Sequence, residues 1–144
     1  MIAIKWKDDL LIGVEEIDQQ HKEIFKRSNY FLNFLNNNEK EDKNTIIDEM
    51  ENLFYFLTDY FVTHFSSEER LQEEYNYPDY EKHQFIHKNF IDKITELKFD
   101  FINENEDIHS LAVKLKEEVL VWLVEHINKE DKKVGEYINS SIEE

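Results

Sequence analysis

The chain has 144 residues, enough for one domain with a proper core and too few for two of ordinary size. Its formal charge of −16, from 33 acidic against 17 basic side chains, repels phosphate backbones and anionic lipid, so neither nucleic acid nor a membrane is an expected partner. Cysteine is absent, which excludes disulfides and thiolate metal sites, no segment approaches the ~20 apolar residues of a membrane span, and the N-terminus lacks a signal-peptide run, so a cytoplasmic location is expected.

With two Gly and one Pro, the chain reads as nearly all helix after an N-terminal arm. The arm, residues 1–17, has no helical periodicity, although Trp6, Leu10, Leu11, Ile12 and Val14 can pack on something. Asp18 is a candidate N-cap for a first helix over 18–37, where His21, Ile24, Phe25, Ser28, Phe31, Leu32 and Leu35 recur at three- and four-residue steps. A second helix over 44–74 carries Ile46, Met50, Leu53, Leu57, Tyr60, His64, Glu68 and Leu71 on one stripe. Tyr77-Pro78-Asp79 then breaks the pattern, because Pro has no N–H and disfavours the α conformation for the residue before it. A third helix, 79–102, has His83, His87, Phe90, Ile94, Leu97 and Phe101 as its inward row. A fourth, 108–130, has Leu111, Leu115, Val119, Trp122 and His126, and a short C-terminal segment follows. The acidic runs Glu39-Lys40-Glu41-Asp42-Lys43 and Glu104-Asn105-Glu106-Asp107 read as polar turns. Short connections between helices of this length predict an up-down-up-down antiparallel four-helix bundle, all-α and a single domain over 1–144.

That topology decides where the ligand-type residues meet. The starts of the first and third helices share a bundle end with the finishes of the second and fourth. His21, His64, Glu68, His83, His87 and His126 therefore converge, while His109 falls at the opposite end. In a helix, residues four apart lie on one face, so H-x-x-x-E from His64 and H-x-x-x-H from His83 each aim two ligands the same way. Histidines buried only for packing would need partners, since buried polar groups are costly without them. Five of six histidines on inward stripes at one end point instead to metal.

Imidazole with carboxylate suits iron, copper, nickel or zinc, and a single structural zinc would leave several of these groups idle. Asp131, near the end of the fourth helix, offers a second carboxylate. Two carboxylates can bridge two metals, with five neutral imidazoles completing the shells. Asp131 follows His126 by five residues, which in a regular helix leaves the side chains about 140° apart. A π-type turn or local unwinding between Ile127 and Asp131 is therefore expected.

The segments G-V-E-E-I-D-Q-Q-H ending at His21, H-F-S-S-E-E from His64, Y-P-D-Y-E-K-H ending at His83, and W-L-V-E-H-I around His126 together resemble the hemerythrins, above all the single-domain bacterial form. The resemblance covers Trp6 to about Tyr137. It implies two iron ions bridged by an oxo or hydroxo group, one held by His83, His87 and His126 and the other by His21 and His64, with Glu68 and Asp131 bridging. It also implies reversible dioxygen binding at the iron with fewer histidines, beside an apolar pocket of Ile24, Phe65, Trp122, Leu123 and Ile127. Two positions depart from the family pattern. Asn76 stands where Gly is frequent, and Asn is the next residue best able to adopt a left-handed conformation at a helix end. Gln72 stands where Met is frequent and is expected to face away from the metals.

The expected function is thus oxygen storage, delivery or scavenging, without catalysis and with dioxygen as the partner; no protein partner is legible. The alternatives are a di-iron oxidase, peroxidase or nitric oxide reductase, or a free-standing oxygen or iron sensor. Di-iron enzymes on four-helix bundles use carboxylate-rich shells with Glu-x-x-His motifs. None of the five converging histidines has Glu three residues before it.

Overall fold

The computed structural model describes residues 6–37, 43–104 and 107–143. The start of the arm (1–5) and the acidic turns at 38–42 and 105–106 lie outside the described residues. Among those described there are a single 3-10 turn in the arm (Asp8–Leu10), four long helices and no strand: α1 (Glu15–Asn37), α2 (Lys43–Glu74), α3 (Tyr80–Ile102) and α4 (108–143). They form an up-down-up-down four-helix bundle in which α2 packs against both α1 and α3, and α3 against the first turns of α4. No helix among the described residues is long and apolar enough to cross a membrane.

The stripe expected on α1 is buried as read, from His21 through Leu35. Asp18, however, is not its N-cap. The helix begins three residues earlier, and the buried Asp18 carboxylate accepts from the backbone N–H of Ile12 at 2.8 Å and of Gly13 at 3.2 Å. It fastens the arm instead of starting the helix. Gly13 makes the turn with φ of +85°, where an L side chain is strained. Trp6 then packs edge-on to Phe25, and Leu10 and Ile12 enter the core.

On α2 the inward line differs from the expected stripe. Tyr60 and Leu71 are only half-buried, and Phe61, Phe65 and Gln72 take the interior. His64, Glu68 and Gln72 are successive four-residue steps, which keep to one side of the helix. The helix ends in a Schellman arrangement, with Tyr77 N–H donating to Gln72 C=O at 2.8 Å and Asn76 N–H to Glu73 C=O at 3.2 Å. Asn76 adopts φ of +56°, the left-handed conformation this motif requires. The reversal at 75–79 is what returns α3 alongside the end of α2.

α4 is continuous through 143, with two π-helical stretches, Lys116–Val121 and Ile127–Asp131. The second is the irregularity demanded by the five-residue spacing of His126 and Asp131. Beyond it, Val134 and Ile138 bury against Tyr77. Gly135 is needed for close approach: a Cβ there would lie 2.0 Å from the Ile12 carbonyl oxygen of the arm.

Candidate metal centre

Seven polar side chains meet where the four helices share an end: His21 from α1, His64 and Glu68 from α2, His83 and His87 from α3, His126 and Asp131 from α4. All are buried, five of them with no solvent exposure. His109, at the start of α4 beside the N-cap Asp107, is exposed and takes no part.

The ligand atoms fall into two groups, in each of which they lie within 4.8 Å of one another: Glu68, His83, His87, His126 and Asp131, and then His21, His64, Glu68 and Asp131. The two carboxylates belong to both. Glu68 turns Oε2 to His64 Nε2 at 3.5 Å and Oε1 to His87 Nε2 at 4.0 Å. Asp131 turns Oδ2 to His21 Nε2 at 3.2 Å and Oδ1 to His126 Nε2 at 3.0 Å and His83 Nε2 at 3.8 Å. Each carboxylate therefore divides its oxygens between a set of three histidines and a set of two.

His21 Nε2, His64 Nε2, His83 Nε2, Glu68 Oε2 and both Asp131 oxygens are buried without a completed hydrogen bond. Unsatisfied groups at this density are costly in a folded core and call for a further partner. A donor set of imidazole and carboxylate is what borderline divalent metals take, and the shared carboxylates match two ions held side by side. The residues fit a two-metal centre.

The electrostatics agree. Burial pushes His64 well below the usual imidazole range, His83 down to about 3, and His87 also downward. Neutral imidazole is the ligating form. Burial and then the Asp131 charge hold the Glu68 carboxyl well above its ordinary value. Burial alone would raise Asp131 too, but the close approach of His126, and then of His21, outweighs it and holds that carboxyl well below its usual value. Without cations, the pair carries about one negative charge, because two close buried carboxylates cannot both ionise.

Outside the ligand atoms lies a ring of partners that fixes the imidazoles. His64 Nδ1 pairs with Gln20 Oε1 at 2.7 Å, and His87 Nδ1 with Glu69 Oε2 at 3.1 Å. Aromatic faces brace the rings: Phe65 stacks on His87 with centroids 3.8 Å apart, and Trp122 on His126 at 4.5 Å. Gln72, expected to face away, is fully buried and faces the centre. Its Nε2 donates to Glu68 Oε1 at 3.3 Å and meets His83 Nδ1. The reason is its position one turn beyond Glu68 on the same face. Gln20 and Glu69, adjacent in sequence to His21 and Glu68, went unread because adjacency to a ligand carries no direction.

Residues 12–138 match the hemerythrin HHE cation binding domain, most of the chain. This chain belongs to the hemerythrin family. It is similar to a bacteriohemerythrin of Stenotrophomonas maltophilia, 30% identical over 99% of this chain and 86% of that protein. It is also similar to a bacteriohemerythrin of Pseudomonas aeruginosa, 31% identical over the whole chain and 87% of the relative. A myohemerythrin of Theromyzon tessulatum is 26% identical over 88% of this chain and 87% of its own. A crystal structure of a hemerythrin variant superposes with a TM-score of 0.73 at 24% identity, covering 96% of this chain and 98% of that one, which shows the shared fold.

Proposed function

We propose that this hemerythrin-family chain holds two iron ions and binds dioxygen reversibly, for storage, delivery or scavenging. The observation that carries the reading is the division of Glu68 and Asp131 between the two histidine sets. His83, His87 and His126 would hold one ion and His21 and His64 the other, leaving the second with fewer protein ligands and the open position. A bound iron pair supplies two electrons to dioxygen and can take them back. The chain's own part is to keep His64, His83 and His87 neutral, to orient all five imidazoles and to keep water out. Ile24, Leu123 and Ile127, buried completely, and Phe65 and Trp122, stacked on ligand rings, would form the apolar pocket.

Binding is favoured over catalysis because imidazoles outnumber carboxylates in the site, five to two. On the side of catalysis stands Glu130, partly buried in the π turn, with Oε2 3.9 Å from His83 Nε2. The two readings separate in one experiment: iron analysis, then the absorption spectrum of the reduced protein before air, in air, and after removing oxygen. About two irons per chain and a band that appears in air and vanishes under vacuum are expected. Irreversible bleaching, or steady turnover of peroxide or nitric oxide, overturns reversible binding in favour of an enzyme.

A further inference from the structure

We propose that Gln72 is a positioning residue of the metal centre, holding the Nδ1 edge of His83 so that Nε2 faces the metals. The inference rests on the two-metal reading above and adds a residue to it. Of the two ring nitrogens of His83, Nε2 is buried without a hydrogen-bond partner and lies toward Asp131, whereas Nδ1 faces the Gln72 amide and Glu68 Oε1. Nε2 is thus the ligand atom. A neutral imidazole that gives Nε2 to a metal carries its proton on Nδ1, and that N–H needs an acceptor.

Gln72 is placed to supply it. The side chain is fully buried, comes from one turn beyond Glu68, and its position is set by the Schellman turn that it closes with its own carbonyl. One end of the amide already serves both Glu68 and His83, and its Oε1 is buried without a partner. Nitrogen and oxygen of a side-chain amide exchange places when its plane turns half a revolution, so Oε1 reaches the His83 N–H without moving the backbone; the amide then gives up its donation to Glu68 Oε1, which is left to the metals. Gln20 and Glu69 hold the Nδ1 atoms of His64 and His87 in the same manner. Gln72 completes the pattern for a third ligand, and does so beside a carboxylate shared by both metal groups. A thioether at this position, similar in length and shape, would fill the space and accept only weakly.

The test compares the wild-type chain with Gln72→Met and Gln72→Glu. Metal affinity is read by competition between the metal-free protein and a coloured chelator for Co(II), and the exchange rate of the His83 ring N–H by NMR on the Co(II)-loaded protein. Gln72→Met should weaken affinity about 10–100-fold, the usual cost of losing an outer partner of a ligating histidine, and should speed N–H exchange. Gln72→Glu, which retains an acceptor, should restore slow exchange. A role in packing alone predicts no change for Met, since an apolar side chain suits the interior and leaves both readouts unmoved. Wild-type affinity and exchange in Gln72→Met overturn the inference while the metal centre stands. A wild-type chain that takes up no metal overturns both.

Discussion

Acidifying the metal-free protein should unfold it far sooner than its excess of carboxylates suggests. The ordinary imidazole value is 6.5, and His83 is held down to about 3, with His64 also far below and His87 lowered. Below pH 6.5 these groups take up protons in the unfolded chain and not in the folded one, so stability falls as pH falls. Glu68 works in the opposite sense: its carboxyl is protonated when folded but ionised when unfolded above its ordinary value of 4.5. Between pH 6.5 and 4.5 the unfolded chain thus binds one to two more protons than the folded one, on the order of 1–3 kcal/mol per pH unit. Over that window the loss is about 3–5 kcal/mol, a large part of the ~5–15 kcal/mol that holds a domain together. Below pH 4.5 the opposing Glu68 contribution ends, and the depressed Asp131 carboxyl adds further loss below 3.8. Guanidinium unfolding followed by far-UV circular dichroism, after chelator treatment, measures this directly. A midpoint that stays level or rises from pH 6.5 to 4.5 refutes the assignment of neutral buried imidazoles. Loaded protein should resist to lower pH, because bound metal keeps protons off its ligands, and should unfold as metal leaves.

Four other outcomes are expected. His64→Ala and His83→Ala should lose metal by elemental analysis while His109→Ala keeps it; equal loss in the last would contradict its placement at the far end. Leu123→Asn should shorten the lifetime of the oxygenated colour at unchanged iron content, and an unaltered lifetime would move the open coordination position elsewhere. Gly135→Ala should lower stability by about 1–3 kcal/mol in chemical denaturation, since its methyl meets the Ile12 carbonyl, and a neutral result would mean the arm does not hold its place across α4. Deleting exposed Lys129 should turn the π stretch of α4 into ordinary helix with metal content preserved, because it leaves the carboxylate four residues after His126; loss of metal would show that the π turn does more than adjust spacing.

The bundle and the converging ligands were legible because both are written in periodicity. A histidine or glutamate on an apolar stripe contradicts the stripe, and that contradiction is visible without coordinates. The π turn was legible for the same reason: a spacing of five from His126 to Asp131 is incompatible with a shared face unless the helix adds a residue to one turn. Asp18 was misread because a capping side chain and one that accepts from a preceding loop share the same sequence signal, an acid at the start of an apolar run. The arm's crossing at Gly135 is a contact between residues more than a hundred positions apart, and no local pattern encodes it.

Gln72 shows why the outer partners are the harder class to read. A ligand position is marked by residue type and register together, whereas glutamine is common on helix surfaces and its chemistry depends on which way the amide turns. Its register alone was informative: His64, Glu68 and Gln72 continue one line of four-residue steps, and a line that has carried two ligands inward carries the third side chain inward as well. Reading Gln72 as facing away from the metals set this register aside, and with it the comparison with an apolar residue at the same inward position. What changes between the two is the hydrogen-bonding capacity beside His83 and Glu68. The centre's chemistry is therefore set at two depths, by the residues whose atoms can reach metal and by those that decide which atom each ligand presents.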